Sequence, residues 1–455
     1  MSLLLSIILL GTGLSMFFVK DSIKKLGILY LTVICLSSVY IPFKIPYLTN
    51  ATEYVSFCFL ISQWKILRQN WTLISKTILY PVFIILFIGS ILTWFNSPSY
   101  LDIWGLITII KTDFLGRYLL ILYPFLCIKD VNSIKKIVPI IYWSFTILFV
   151  FAVINYILHY NYFVDWALKS GGTVSSIMAD MGGKYSNAMR FRVSGMFPNA
   201  FNYGYTCIGV LFLFIYFKHL KLISDIKFYT VVIYSLFGIV TCGCRTIILV
   251  TIIAFFVYLL LYYKLLKSIR ILVFILLALF ICSIIIPSIY DLFDKMLSIF
   301  SNNSDVEGSS IEMREEQWLA TLFWLNDKFM FGQGYGFLRL TLEFGTDNFS
   351  AVELRGLENV TMVYLLERGI IGVIVFYSLY MFLIVYFIRK LKQYKLESSL
   401  GMTLLIASIV FANATGILLS YLITYLNVGI ILCIINVNKK RIIVNGKSLC
   451  RYSDL

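Results

Sequence analysis

Long apolar runs separated by polar connections extend along the whole chain. Such runs predict transmembrane helices, because a helix needs about 20 mainly apolar residues to cross the hydrocarbon core. Predicted spans lie near residues 1–19, 26–43, 47–64, 77–95, 108–128, 136–158, 197–217, 228–244, 245–263, 271–289, 360–388, 401–417 and 419–437. The predicted fold class is an all-α polytopic membrane protein of about 13 transmembrane helices, forming a single membrane domain over residues 1–455.

Two of the connections are too long to be simple turns. They cover residues 159–196 and residues 290–359, and the second precedes the last three spans. Within it, Ser309-Ser310-Ile311-Glu312 has the pattern of a capping box and predicts that a helix begins there. Long ordered loops usually have a function, so we expect the chemistry of the protein in these two segments.

The composition supports the membrane assignment and excludes an ordinary soluble domain. Of the 455 residues, 60% are hydrophobic and 13% are charged, with a mean hydropathy of +0.89. Soluble domains carry about 25% charged residues. In a soluble protein the formal charge of +15 would suggest nucleic-acid binding. Here most lysines serve as topology signals, and we expect no nucleic-acid partner.

The basic residues are concentrated in every second connection, which is the positive-inside pattern. These clusters lie at residues 20–25, 65–76, 129–136, 218–227, 264–270, 389–395 and 439–451. The pattern predicts an N-terminus outside the cytoplasm, a cytoplasmic C-terminus and both long loops outside. No positive residue precedes the first apolar run, so we expect an uncleaved first helix rather than a signal peptide.

Several arginines lie on the predicted outer side, where the topology rule disfavours them. They are Arg117, Arg190, Arg192, Arg245 and Arg314. A charged side chain at membrane depth costs about 2.5–3.5 kcal/mol on insertion scales. Each arginine alone has a structural interpretation, either snorkelling to the interface or, for Arg117, an i, i+4 ion pair with Asp113. Together they indicate a binding site for an anion.

Arginine suits phosphate because its planar fork donates two hydrogen bonds and stays charged. An arginine cluster at the membrane surface therefore suggests a pyrophosphate at the lipid–water boundary. The natural candidate is a polyprenyl pyrophosphate that carries a sugar chain. We expect Arg117, Arg190, Arg192, Arg245 and Arg314 to bind this group.

A glycine-rich segment follows the predicted loop helix, with Gly332, Gly334 and Gly336 at alternate positions. Such a segment can bring backbone amides close to a phosphate. It follows no strand, however, so a dinucleotide-binding motif is weakly supported and a tight turn is an equal alternative.

Metal or cofactor chemistry has no support in the sequence. The nine cysteines are scattered, and only Cys242 and Cys244 are close together, without further ligands at the spacing of a metal site. We therefore predict no metal site and no cofactor.

Four short motifs, in order, resemble the O-antigen polymerase and O-antigen ligase superfamily over roughly residues 185–385. They are Arg192-x-x-Gly195-x-Phe197-x-Asn199, then Cys244-Arg245-Thr246, then Arg314 followed by Gly332-x-Gly334-x-Gly336, and finally Glu358-Asn359 followed by Glu367-x-Gly369-Ile370-x-Gly372. The resemblance implies that Asn199, the three glycines, Asn359 and Glu367 help to form the substrate site. Ligases of the superfamily have a histidine where this chain has Glu358. That departure favours a polymerase of O-antigen, capsule or exopolysaccharide repeat units.

The resemblance implies glycosyl transfer on the outer face of the bacterial cytoplasmic membrane, without a metal. A hydroxyl of one lipid-linked repeat unit attacks the anomeric carbon of the growing chain, which is carried on polyprenyl pyrophosphate. Arg192, Arg245 and Arg314 would stabilise the leaving pyrophosphate, and Glu358 is the first candidate for the general base, before Glu367 and Glu353. The expected catalytic residues are therefore Glu358, Arg245 and Arg314. Besides the lipid-linked saccharide and membrane lipid, a chain-length regulator and a flippase are candidate partners.

Besides a sensor or scaffold, which has no need of the arginine cluster, two other functions remain open at this point. One is ligase-type transfer of the glycan to another acceptor. The other is a lipid-linked oligosaccharide flippase, which would also hold pyrophosphate with arginines. A flippase needs cationic groups along a path across the bilayer and usually has two similar halves, and this sequence has neither.

Overall fold

The computed structural model describes residues 2–36, 51–75, 77, 79–162, 192–197, 199–263, 267, 269–270, 311–338, 354, 357–416 and 421–445. These residues form helices joined by turns and loops. The helices are α1 (Ser2–Phe18), α2 (Ser22–Leu31), α3 (Ala51–Ser62), α4 (Trp64–Ser75), α5 (Leu79–Phe95), α6 (Ile103–Ile110), α7 (Tyr123–Cys127), α8 (Val131–Leu158), α9 (Ala200–His219), α10 (Asp225–Thr241), α11 (Arg245–Tyr262), α12 (Ile311–Leu325), α13 (Val360–Lys390), α14 (Lys395–Thr415) and α15 (Tyr421–Asn445).

The prediction of a helical membrane protein is confirmed. Within the described ranges, five helices are long and apolar enough to cross a membrane, namely Asn132–Leu158, Ala200–His219, Arg245–Tyr262, Val360–Lys390 and Lys395–Thr415. Shorter apolar helices are Ile7–Phe18, Ala51–Ser62, Leu79–Phe95 and Tyr421–Val437. The predicted span at 271–289 lies outside the described residues.

The predicted span at 108–128 is not one continuous helix, and this part of the prediction is wrong. Helix α6 ends at Ile110, a π-helical turn covers Lys111–Leu115, and a 3-10 turn at Tyr118–Ile121 precedes α7. Buried charges cause the break, because Lys111 and Asp113 are both buried and pair with groups on other elements. In addition, a proline at position 124 has no backbone N–H to continue a helix.

The predicted span at 360–388 also departs from a simple helix, because α13 reverses direction at Gly369. This glycine has φ +64° and ψ −169°, which is not helical. The hydroxyls of Thr361 and Tyr377 lie 2.6 Å apart, and the rings of Tyr364 and Phe376 have centroids 4.4 Å apart. Residues 360–368 therefore lie beside the start of 370–390. At about 1.5 Å per residue, 370–390 alone extends about 31 Å and is long enough to cross the bilayer.

Residues 329–336 satisfy the backbone groups that this reversal leaves without helical partners. The N–H groups of Gln333 and Gly334 donate to the carbonyl oxygens of residues 366 and 367, over 2.7 and 3.1 Å. In return, the N–H groups of Ile370 and Ile371 donate to the carbonyl oxygens of residues 329 and 330, over 3.0 and 3.3 Å. The glycine segment thus closes both helix ends at Gly369.

Helix α12, the glycine segment, Leu354 and residues 357–368 form a small unit that we call the cap. Its core is separate from that of the main bundle and consists of Ala320, Leu325, Leu354, Leu365 and Leu366. Trp324, Phe337 and Leu357 pack against this core from its edges. The helix predicted from the capping box is present and begins at Ile311.

The helix ends that carry the predicted site residues meet at one end of the bundle, which we call the site end. Gly204, near the start of α9, packs against Cys242 at the α10–α11 turn. The next residue, Tyr205, hydrogen-bonds to Thr424 of α15 over 2.8 Å and packs on the ring of Phe411 in α14. The starts of α9, α11 and α15 and the ends of α10 and α14 therefore lie together.

We expect Gly369→Ala to destabilise the protein, because a Cβ at this position would clash with the carbonyl of Met330 and the residue has a positive φ. Backbone strain of this kind costs about 1–3 kcal/mol. The measurement is the midpoint of thermal unfolding in detergent. Gly11→Ala is the matched control, since a Cβ at this helical glycine meets open space. Equal midpoints for the two variants would show that Gly369 is not required for the reversal.

Candidate functional site

Arg314 and Glu358 are in direct contact, although 43 residues separate them in the chain. The Nη2 atom of Arg314 donates to Oε2 of Glu358 over 3.3 Å and to the carbonyl oxygen of Ala414, at the end of α14, over 3.2 Å. The backbone N–H of Glu358 faces Oε1 of Gln317 at 3.4 Å. The two charged side chains are 43% and 32% exposed, so both are reachable from solvent. The predicted base and one predicted arginine thus form a single accessible pair at the site end.

Arg192 and Arg245 are brought to the same short turn. The backbone N–H of Val193 donates to the carbonyl oxygen of Thr241 over 3.1 Å, which fixes the end of the first long loop on α10. Gly243, with φ +63°, lies in the turn, and a Cβ there would be 3.4 Å from the side chain of Arg192. Arg245 begins α11 just beyond, and both arginines are half-buried. Arg190 and Glu353 lie outside the described residues.

The two predicted asparagines begin helices at the site end. The side chain of Asn199 accepts a hydrogen bond from the backbone N–H of Asn202 over 2.9 Å and caps α9. That of Asn359 accepts from the N–H groups of Thr361 and Met362 and caps α13. N-caps of this kind satisfy donors that the first helical turn leaves free. In this structure, both asparagines therefore fix the starts of α9 and α13, which lie next to predicted site residues.

Asp113 pairs mainly with Arg368, rather than with Arg117. Arg368 donates from Nη1 and Nη2 to the two carboxylate oxygens over 2.7 and 3.0 Å, and Ser90 adds a hydrogen bond of 2.9 Å. Arg117 is 3.9 Å from the same carboxylate and donates to the hydroxyl of Tyr364 over 3.0 Å. The predicted i, i+4 pair is therefore present but secondary.

Arg368 is absent from the site residues predicted from the sequence. The signal for it was the same as for Arg245, because it is an arginine in an apolar span near the predicted outer side. Its guanidinium lies 5.5 Å from the ring centre of Tyr335 and 5.1 Å from that of Tyr364. Burial raises the pKa of the Tyr335 phenol to about 12, so this hydroxyl stays protonated.

Lys111 and Glu53, which form a buried pair at 3.1 Å, were also not predicted.

The amides of the glycine segment bind to the protein itself. Those of Gly332, Gln333, Gly334 and Phe337 donate to backbone carbonyls. That of Tyr335 donates to the Ser97 hydroxyl over 2.7 Å, and those of Gly336 and Leu338 hydrogen-bond to the Glu367 carboxylate. In this structure the segment is a tight turn whose amides are already engaged. Glu367 holds that turn against α13.

The site end therefore combines accessible arginines with one accessible carboxylate. Arginine forks can bind a phosphate or pyrophosphate by paired, charge-assisted hydrogen bonds. A carboxylate can accept the proton of an attacking hydroxyl. Among the residues that the structure describes, no group of three or more His, Cys, Asp or Glu side chains could hold a metal ion.

Replacing Asp113 by Asn should destabilise the protein strongly, because Arg368 would remain buried without its carboxylate. Breaking a buried ion pair in this way costs about 3–5 kcal/mol. The control is Asp225→Asn, which removes the largely exposed partner of Lys218, where a surface pair contributes about 0–1 kcal/mol. Unfolding free energies in bicelles provide the comparison, and equal losses would argue against a structural role for the Asp113–Arg368 pair.

Comparison with known families gives one match, and no curated protein matches the chain. Residues 230–377, about a third of the chain, match the family described as O-antigen ligase. The matched segment contains Arg245, Arg314, Glu358 and Arg368 and begins after Arg192. Residues 230–377 are thus similar to the O-antigen ligase family, and this match supports the resemblance of the chain to the O-antigen polymerase and ligase superfamily.

Proposed function

We propose that this protein is a membrane glycosyltransferase that polymerises lipid-linked oligosaccharide repeat units. The donor is a saccharide chain on polyprenyl pyrophosphate, and the product is O-antigen, capsule or exopolysaccharide. The observation that carries the proposal is the accessible Arg314–Glu358 pair, which lies at the same end of the bundle as Arg192 and Arg245. A carboxylate and several arginines at one end of the bundle are what transfer from a pyrophosphate leaving group requires.

In the proposed reaction, a hydroxyl of the incoming repeat unit attacks the anomeric carbon of the donor chain. Glu358 accepts the hydroxyl proton as the new carbon–oxygen bond forms. The bond from the anomeric carbon to the pyrophosphate breaks, and its electron pair leaves with the lipid pyrophosphate. Arg192, Arg245 and Arg314 stabilise the charge that grows on this group, with Arg190 and Arg117 as further contacts. The reaction uses neither a nucleotide sugar nor a metal ion.

The environment of each carboxylate supports Glu358 as the base over Glu367. The Glu367 carboxylate already accepts two backbone N–H groups of the glycine segment, which would be lost if it moved to a substrate. The Glu358 side chain is 32% exposed and is held by Arg314 alone among the contacts described for it. Arg314 would thus orient the base in the resting protein and bind pyrophosphate during the reaction.

The proposed orientation places the site end outside the cytoplasm, within a bundle of about 13 spans. The basic connections support it. Residues 218–227 and 389–395 join helices at the end of the bundle opposite the site end. Lysines and arginines at that end favour the cytoplasm. The active site then faces the side where lipid-linked repeat units are assembled into polymer.

A second candidate function is ligase-type transfer of a finished chain to another acceptor. It is favoured by the printed description of the matching family. It is disfavoured by Glu358, which occupies the position where the resemblance implies a ligase histidine. The two functions differ in their products, because a polymerase extends its own substrate whereas a ligase moves the chain to a different molecule.

The first test uses purified protein in proteoliposomes with EDTA and no nucleotide sugar. The substrate is a polyprenyl-pyrophosphate-linked repeat unit from cells that lack this protein. We expect a ladder of longer saccharides together with released lipid pyrophosphate. Transfer that occurs only when a second acceptor is added would favour the ligase. Movement of the saccharide lipid between leaflets without any ladder would favour a flippase and contradict the catalytic roles.

Arg245→Lys should lower the rate of ladder formation by about 10²–10³, the range for loss of one donor to a developing anion. The variant keeps the charge but removes the bidentate fork. Arg389→Lys is the matched control, because Arg389 is exposed at the opposite end of α13. A rate equal to that of the control would mean that Arg245 does not bind the pyrophosphate by its fork.

Glu358→Gln should lower the rate by about 10²–10⁴, the usual contribution of a general base. The amide keeps the shape of the side chain and can still accept a hydrogen bond from Arg314. Glu315→Gln serves as the control, since Glu315 is exposed on the same cap and is assigned no role. If Glu358→Gln retained full activity while folding normally, the base would have to be another group.

A further inference from the structure

Helix α12 has two faces of different character. One face packs on the cap core through Gln317, Ala320, Thr321 and Leu325, all of them buried. The opposite face exposes large apolar side chains. These are Trp318, Leu319, Leu322 and Phe323, of which Leu319 is 59% and Phe323 72% exposed. Such an apolar face is unfavourable in water. Exposed apolar patches of this kind usually mark a surface that contacts protein or membrane.

The glycine segment extends this apolar face beyond the end of α12. Phe329, Met330 and Phe331 are exposed. The backbone carbonyls of Phe329 and Met330 are held by the N–H groups of Ile370 and Ile371. Because the backbone of these residues is fixed on α13, their exposed side chains are a constant part of the surface. These three residues and the four exposed apolar residues of α12 together form one surface. We call it the α12 lipid face.

The α12 lipid face adjoins the apolar surface of the bundle. Gly334 packs against Asn96 and Ser97 at the end of α5. The rings of Tyr335 and Tyr100 have centroids 5.3 Å apart. On the bundle side of this contact, the exposed side chains are again large and apolar, namely Phe95, Leu101, Ile103 and Trp104. One apolar surface therefore passes from helices α5 and α6 of the bundle to the cap.

Polar residues are segregated from the apolar face along the helix axis. Glu315 and Glu316 are exposed in the first turns of α12, whereas the apolar residues begin at Trp318. Asn326 and Lys328, also exposed, interrupt the apolar surface after Phe323. A helix whose exposed side is acidic at its start and apolar further along fits a tilted position at the membrane interface, where aromatic rings and lysine stems lie at headgroup level.

We propose that the α12 lipid face is inserted into the bilayer interface next to the site end, at the boundary between headgroups and acyl chains. The first turns of α12, with Glu315 and Glu316, then remain in water or among the headgroups. Arg314 lies in these turns, at the depth of lipid phosphates. A lipid-anchored phosphate could thus reach Arg314 by lateral diffusion, without leaving the membrane. This placement of α12 does not depend on the proposed glycosyl transfer.

The test measures the depth of single spin labels in nanodiscs of phosphatidylcholine. Labels are attached at Phe323→Cys and, as the matched control, at Glu316→Cys. These positions are seven residues apart, so they point in the same direction two turns apart on the helix. The seven described native cysteines are buried, and label taken up by the parent protein is subtracted. Accessibility to oxygen, which concentrates in lipid, is compared with accessibility to a water-soluble nickel chelate.

We expect the ratio of oxygen to nickel accessibility at position 323 to exceed that at position 316 several-fold. A preference for nickel at position 323 would place the face in water and overturn the proposal. Low accessibility to both probes would mean that protein covers the face, which would also overturn it. Leu319→Cys and Glu315→Cys form a second pair on exposed positions of the same helix, and must give the same order. Loss of transferase activity would leave these accessibilities unchanged, so the two proposals fail separately.

Discussion

Buried backbone groups must find hydrogen-bond partners, and this constraint governs the cap and the site. The reversal of α13 at Gly369 removes helical partners from residues on both sides. Residues 329–336 replace them with four backbone hydrogen bonds. Because α12 leads directly into that segment, the bonds also fix α12 on α13. The contact between Arg314 and Glu358 is then a consequence of how one helix break is closed.

A buried ion pair, Asp113–Arg368, is the second interaction that fixes the position of α13. The carboxylate of Asp113 is bound by both terminal nitrogens of Arg368 and by Ser90. An unpaired charge at this depth would be strongly unfavourable, so the pair determines how α13 sits against α5 and the broken region after α6. Arg368 directly follows Glu367, which holds the glycine segment. The ion pair and the helix break therefore support each other, and neither touches Arg314 or Glu358.

The sequence predicts what depends on local hydropathy. The bounds predicted for α9, α10 and α11 lie within a few residues of those observed, because each is a separate apolar run. Hydropathy carries no information on φ, so the 360–388 run reads as one helix although Gly369 reverses it. Hydropathy also does not show which charged side chains pair when they are distant in the sequence. Asp113 and Arg368 are 255 residues apart, whereas Arg117 was the partner suggested by local spacing. Arg314 was singled out by the topology rule and Glu358 by motif resemblance, and their mutual contact was not predicted.

The reversal at Gly369 has a consequence for biogenesis. During synthesis, residues 360–390 emerge after residues 329–336 as an apolar stretch that Glu367 and Arg368 interrupt just before Gly369. A bent backbone cannot persist in lipid until its exposed N–H and C=O groups are satisfied. The bend is therefore stable only when the glycine segment, which is synthesised first, is docked on it. The site end of the protein is therefore complete only once residues 329–336 and 360–371 have met.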